Sequence, residues 1–224
     1  MSTTAHVRDI DANDLLYGAL VGNTLAALAI GYVLLARITV TQPRYAVYGL
    51  LWIFVGFLVF WKTDPEPTDD RTRRRALVVA GLYFVALAVA GGVVVTAMRP
   101  GAGEFGIRLA TLAPGWGPAP ILWTPWAAFV LMPARVVGYL ALAYLVYATV
   151  IDAAGAAVSG IVGLFSCVSC SWPILASLLS GVAGGGSAVV AATFDFSYDI
   201  STAVFLVTVA LLYWRPLVVG RLGK

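Results

Sequence analysis

The strongest constraint on this chain is a series of apolar runs, several of them long enough to cross a bilayer. Crossing ~30 Å of hydrocarbon takes ~20 apolar residues at the rise of an α-helix. Inside lipid, only a helix or a closed barrel keeps every backbone group paired. Residues 15–38, 45–61, 76–98, 133–153 and 199–214 read as membrane helices. Two shorter arms, 154–166 and 173–191, flank a break at Pro173. With 61% hydrophobic and 11% charged residues, an ordinary soluble core is excluded. The expected fold is all-α: a polytopic transmembrane helix bundle of six to seven membrane helices. It forms one domain over 15–224, behind a polar tail at 1–14.

Charge sets the expected orientation. Residues 62–75 carry Lys62, Arg71, Arg73, Arg74 and Arg75, so this loop is expected on the cytoplasmic side. The N-terminus is then expected on the cytoplasmic side of the cell membrane, and the polar first fourteen residues argue against a cleavable signal peptide. The net charge of +3 is a topology signal and does not indicate nucleic-acid binding. Residues 99–126 form the long outer loop. They are rich in Pro, Gly and Trp, have no helical period, and are expected to lie as turns at the membrane surface. Residues 124–132 are expected to dip inward as a short half-helix. Arg outnumbers Lys twelve to two and Asp outnumbers Glu nine to two, a bias of GC-rich, archaeal type.

One conflict stays open at this stage. With seven crossings the tail bearing Arg215, Arg221 and Lys224 lies outside, against the positive-inside tendency. With six, part of the 154–191 segment is re-entrant and the tail lies inside.

The chemistry-bearing residues are few. His6 is the only histidine, which removes a bis-histidine haem, a His-rich zinc site and the usual base of Ser or Cys catalysis. No haem, flavin or nucleotide site is evident, and no G-x-x-x-x-G-K-[ST] occurs. Both cysteines form one C-x-x-C, Cys167 and Cys170, followed at once by Trp172-Pro173. Small residues recur every four positions on either side: Gly155, Ser159, Gly163, then Ser177, Gly181, Gly185. That spacing lets membrane helices approach closely.

Three readings of the pair stand side by side. Two thiolates select Cu(I) and hold it in near-linear coordination without histidine. Met98 and Met132 are weak thioether candidates beside them. A C-x-x-C is also the commonest spacing of a redox dithiol, and a helix starting at Pro173 lowers the pKa of a thiol just before it. Two cysteines can equally pack as small apolar side chains or close a structural disulfide. Arg135 and Asp152, near the two ends of the 133–153 span, are secondary site candidates.

The run from Cys170, C-S-W-P-I-L-A-S-L-L-S-G-V-A-G, resembles the first membrane helix of the mercuric-ion transport proteins. The resemblance rests on Cys170, Pro173, Gly181 and Gly184, and implies soft-metal passage. In that family the two cysteines are adjacent, whereas here they are three apart. The C-x-x-P at Cys170 and Pro173 also resembles the transmembrane thiol-disulfide carriers of cytochrome c biogenesis, which have a second such motif that this chain lacks.

The expected function is soft-metal handling, Cu(I) foremost, at Cys167 and Cys170, as a transporter or copper-enzyme assembly factor. The alternatives are a membrane thiol oxidoreductase and a non-catalytic scaffold subunit. Expected partners are the lipid bilayer, other membrane subunits or a copper enzyme, and no nucleic acid.

Overall fold

The computed structural model describes residues 12–40, 42–65, 68–96, 105–155 and 187–213. Five helices are present among them: α1 (Ala12–Ala36), α2 (Pro43–Lys62), α3 (Asp70–Ala90), α4 (Pro133–Gly155) and α5 (Ser187–Tyr213). Between α3 and α4 lie four short strands: β1 (Val94–Thr96), β2 (Gly106–Ala110), β3 (Ala119–Trp123) and β4 (Ala127–Val130).

Local sequence explains the helix ends. Pro43 and Pro133 open α2 and α4, where a fixed φ helps and no N–H is needed. Asp69 caps α3, its Oδ2 accepting from the Thr72 backbone N–H at 3.4 Å. Hydrogen bonds from Thr72, the side chain first, hold the Asp69 carboxyl below its usual value. α1 closes with Arg37 in the left-handed region (φ +49°), and the Ile38 N–H donates back to the Val33 carbonyl at 3.3 Å. At the end of α3, Gly91 N–H donates to the Leu87 carbonyl, and Gly92, at φ +71°, turns the chain into the sheet.

The strands form one antiparallel sheet in the order β1-β4-β3-β2. Val94 and Leu122 both stand opposite Phe129, and Ile107 stands opposite Leu122. The strands nearest the helices in sequence, β1 and β4, pair with each other.

Side-chain contacts give the direction of each helix. Tyr17 meets Trp61 while the later turns of α1 line a crevice with Ala46 and Leu50, so α1 and α2 are antiparallel. Phe60 packs on Tyr144, and Gly138 abuts Trp52, so α4 runs parallel to α2. Gly91 lies against Tyr139 near the start of α4, so α3 is antiparallel to it. Tyr198 packs on Tyr45 and Phe205 on Trp52, so α5 is also parallel to α2. The molecule thus has a sheet end and a basic-loop end. The core is an aromatic and small-residue seam in which α4 packs among α2, α3 and α5, built on Trp52, Ala88, Tyr139, Leu142, Leu145 and Phe205. α1 is peripheral, with Leu16, Leu28 and Leu35 largely exposed.

Several expectations are corrected. The fold is mainly helical but not all-α, because the 94–130 region forms a sheet. Residues 127–130 are a strand and not a half-helix. Three helices among the described residues are long and apolar enough to cross a membrane: Leu15–Ala36, Pro43–Lys62 and Pro133–Asp152. That is fewer than six to seven. α3 is apolar only from 76 to 90, since its first turns carry Arg71, Arg73, Arg74 and Arg75. Its expected continuation to 98 is cut at Gly91-Gly92. Residues 192–198, between the expected arm 173–191 and the expected span 199–214, are part of α5, whose apolar stretch Ser201–Tyr213 is shorter than a span.

Candidate functional site

Six residues singled out from sequence, Cys167, Cys170, Trp172, Pro173, Gly181 and Gly184, lie outside the described residues, as does Met98. Met132, Arg135 and Asp152 lie within them. Met132 sits at the β4–α4 junction, packed on the aromatic core. Arg135, one helical turn on, donates from Nη1 to the Gly91 carbonyl at 2.6 Å. It therefore satisfies an acceptor at the end of α3 and ties α3 to α4. Asp152 is exposed near the other end of α4. Seventeen residues of helix, ~26 Å at 1.5 Å each, separate Arg135 from Asp152. The three do not converge. Among the described residues no group of three or more His, Cys, Asp or Glu side chains is placed to hold a metal ion.

The described residues do bring together a polar and aromatic cluster at the sheet end. On α2, Tyr45, Tyr48 and Trp52 fall at i, i+3 and i+7, which is one helix face. On α5, Tyr198, Thr202 and Phe205 fall at i, i+4 and i+7, again one helix face, with Asp199 beside them. The two faces meet. The Tyr48 hydroxyl donates to Asp199 Oδ1, and Arg44 Nη1 stands 3.8 Å from Asp199 Oδ2. Trp52 Nε1 donates to Thr202 Oγ1 at 3.2 Å, while its ring stacks on Phe205 at 4.2 Å and 12°. Arg44 also donates to Gln42 Oε1 and lies 4.9 Å over the Tyr45 ring.

The loop between β2 and β3 closes this cluster. Trp116 Nε1 donates to the Tyr45 carbonyl at 2.7 Å, and its ring packs edge-on against Tyr198. Gly49 makes room for it: a Cβ there would stand 2.8 Å from the Pro114 carbonyl oxygen. Gly115, at φ +84°, faces the same spot. The arrangement matches each of its charges, Arg44 and Asp199, with an opposite charge or a hydroxyl. Its chemistry is that of an interhelical clasp. Sequence reading missed Tyr48 and Asp199. The available signal was an acid at the start of one apolar stretch and Arg44 at the start of another, two charges that can meet only if the two helices run the same way.

Beside it, an apolar crevice of ≈ 230 Å³ opens between α1 and α2, lined by Ala29, Ile30, Val33, Leu34, Ala46, Leu50 and Pro114. It offers no polar group for catalysis or ion binding.

Residues 1–219, nearly the whole chain, match DUF7546, a family of unknown function. The chain belongs to that family. No curated protein and no solved structure matches it. Family membership assigns no chemistry to the clasp or to the cysteine pair.

Proposed function

We propose that this protein is a multi-pass protein of the cell membrane that handles a soft metal ion, Cu(I), at Cys167 and Cys170, as a transporter or copper-enzyme assembly factor. The donor set supports the choice of ion: two thiolates three residues apart, in a chain with one histidine, suit a two-coordinate soft cation better than zinc.

The observation that carries the reading is the parallel course of α4 and α5. α4 ends at Gly155 beyond the basic-loop end, and α5 passes the sheet end at Tyr198 and Asp199. The end of α4 and the start of α5 therefore lie at opposite ends of the bundle. In sequence the cysteines fall between the two, twelve residues after Gly155 and seventeen before Ser187. A thiol pair in the segment that links those two ends suits an ion in transit.

The same geometry supports an orientation. The start of α1 and the end of α5 both lie at the basic-loop end. With that end cytoplasmic, the start of α1 and the end of α5 both lie on the inner side, and the sequence after α5 carries Arg215, Arg221 and Lys224, in keeping with the positive-inside tendency. This arrangement favours an even number of crossings.

The test is elemental analysis of the detergent-purified protein after loading with Cu(I) under reducing conditions, beside a Cys167→Ser/Cys170→Ser double variant. The expected result is about one copper per wild-type chain and none in the variant. Equal, near-zero copper in both sinks the reading and directs attention to thiol trapping. A second reading, a scaffold subunit of a membrane complex, draws on the exposed apolar surface of α1. It requires the double variant to keep full complex assembly.

A further inference from the structure

The sheet carries an apolar row that the described residues leave uncovered. Phe105, Ile107 and Leu109 alternate onto one face of β2 and are 78%, 80% and 60% exposed. Trp126, in the turn between β3 and β4, is 83% exposed. Gly106 pairs with Trp123, so Phe105 and Trp126 share the end of the sheet farthest from the helices. β2 is also one of the two edge strands. A contiguous exposed apolar patch of this kind marks an interaction surface.

We infer that this row is seated in the lipid headgroup layer at the sheet end of the bundle, so that the sheet lies along the bilayer surface. The tethers are the first reason. Gly91 to Val93 alone separate α3 from β1, and Leu131 and Met132 alone separate β4 from α4. A sheet held this closely stays at the membrane surface. Within that limit, lying flat and standing upright differ for the row. From Val130 to Trp126 is four residues, ~14 Å of strand. The headgroup layer is only ~5–7 Å deep on each side. Standing upright would carry Phe105 and Trp126 beyond it into water, whereas lying flat places them within it.

Side-chain chemistry supplies the second reason. Aromatic side chains at Phe105, Trp123 and Trp126 suit the boundary between hydrocarbon and water. Arg108 alternates to the face opposite Ile107 and Leu109, so the charge stays on the aqueous side while the apolar row meets the membrane. Arg108 also disfavours a second copy as the occupant. Antiparallel pairing of two β2 edges about their centre sets Arg108 directly against Arg108, like charges in a cross-strand position. The inference uses the reading of α1, α2 and α4 as membrane spans and is independent of any copper site.

The experiment places a nitroxide label at one site at a time in the full chain, in the Cys167→Ser/Cys170→Ser background. The labelled variants are Phe105→Cys, Ile107→Cys and Leu109→Cys. Leu28→Cys on α1 serves as the lipid reference and Arg74→Cys as the aqueous one. Each is reconstituted into vesicles of phosphatidylcholine and phosphatidylglycerol. Collision with oxygen, which concentrates in lipid, is compared with collision with a water-soluble nickel complex. The expected result is a shift at 105, 107 and 109 toward oxygen, in the direction of Leu28 and away from Arg74. Three sites yielding the nickel-dominated response of Arg74 overturn the inference. Shielding from both reagents with dipolar broadening between labels also overturns it, in favour of a second copy. If Leu28 is itself aqueous, the spans are not in the bilayer and the inference falls with the membrane reading. A lipid-exposed Leu28 beside an aqueous Ile107 sinks the inference alone. A label that blocks folding at one site is replaced by the other two.

Discussion

Gly49→Ala tests the joint between α2 and the loop that closes the aromatic cluster. A Cβ at this position would lie 2.8 Å from the Pro114 carbonyl oxygen, 2.9 Å from Trp116 Nε1 and 3.0 Å from Trp116 Cδ1. Ordinary carbon contacts are about 3.5–4.0 Å, so the methyl is too close to three atoms at once. One belongs to the backbone and two to a rigid ring wedged against Trp52 and Tyr198. Overpacking of this kind costs about 1–3 kcal/mol. Relief requires Trp116 to move, which breaks its 2.7 Å bond to the Tyr45 carbonyl. Leaving that buried donor unpaired costs a further ~1–3 kcal/mol. Against this, replacing glycine by alanine within a helix gains ~1 kcal/mol. The net expectation is a loss of about 2–3 kcal/mol, ~30- to 150-fold in the folding equilibrium. Gly81→Ala is the control, because nothing lies within 4 Å of a Cβ there and only the helix gain of up to ~1 kcal/mol applies. Unfolding of both variants in mixed micelles, followed by circular dichroism against detergent composition, measures the difference. If Gly49→Ala is as stable as Gly81→Ala, the loop is not held against α2 as described and the reasoning fails.

Other contacts in the structure carry four further expected outcomes. Tyr48→Phe removes the hydroxyl that Asp199 accepts from, and a loss of stability is expected in the same unfolding assay. Asp199→Asn lowers it further by removing the partner of Arg44 as well. Arg135→Ala leaves the Gly91 carbonyl without its charged donor and is expected to cost about 1.5–3 kcal/mol, while Arg135→Lys recovers part of the loss. The Asp69 carboxyl titrates below its unfolded value because it accepts from Thr72, so its contribution to the start of α3 is complete above the ordinary carboxylate range. That contribution disappears as pH falls through the lowered folded value. Amide exchange at Thr72 and Arg73 should accelerate beyond its intrinsic pH dependence in that window, and Asp69→Asn should flatten the effect.

What the sequence determined by itself is the set of long helices and their punctuation. Apolar run length located α1, α2 and α4 to within three residues at each end, and Pro133 marked the start of α4 as expected. By its charge the basic stretch at 71–75 reads as a loop, yet it forms the first turns of α3. Its cap, Asp69, was legible in the sequence but was outweighed by charge. These signals are local: each depends on residues within a few positions of one another.

The tertiary structure alone decided the rest. The strands are three to five residues long and sit among Pro, Gly and Trp, too short for alternation to show. β1 exists because it pairs with β4, thirty-three residues later, and that pairing carries no local mark. Of the clasp, the one-face spacing on α2 is visible in sequence. Its meeting with Asp199 is not, because it requires α2 and α5 to run parallel some 150 residues apart. Run length and charge report how a segment meets solvent or lipid. Strand pairing and helix direction depend on which distant segments fill the same space, and only the packed chain decides that.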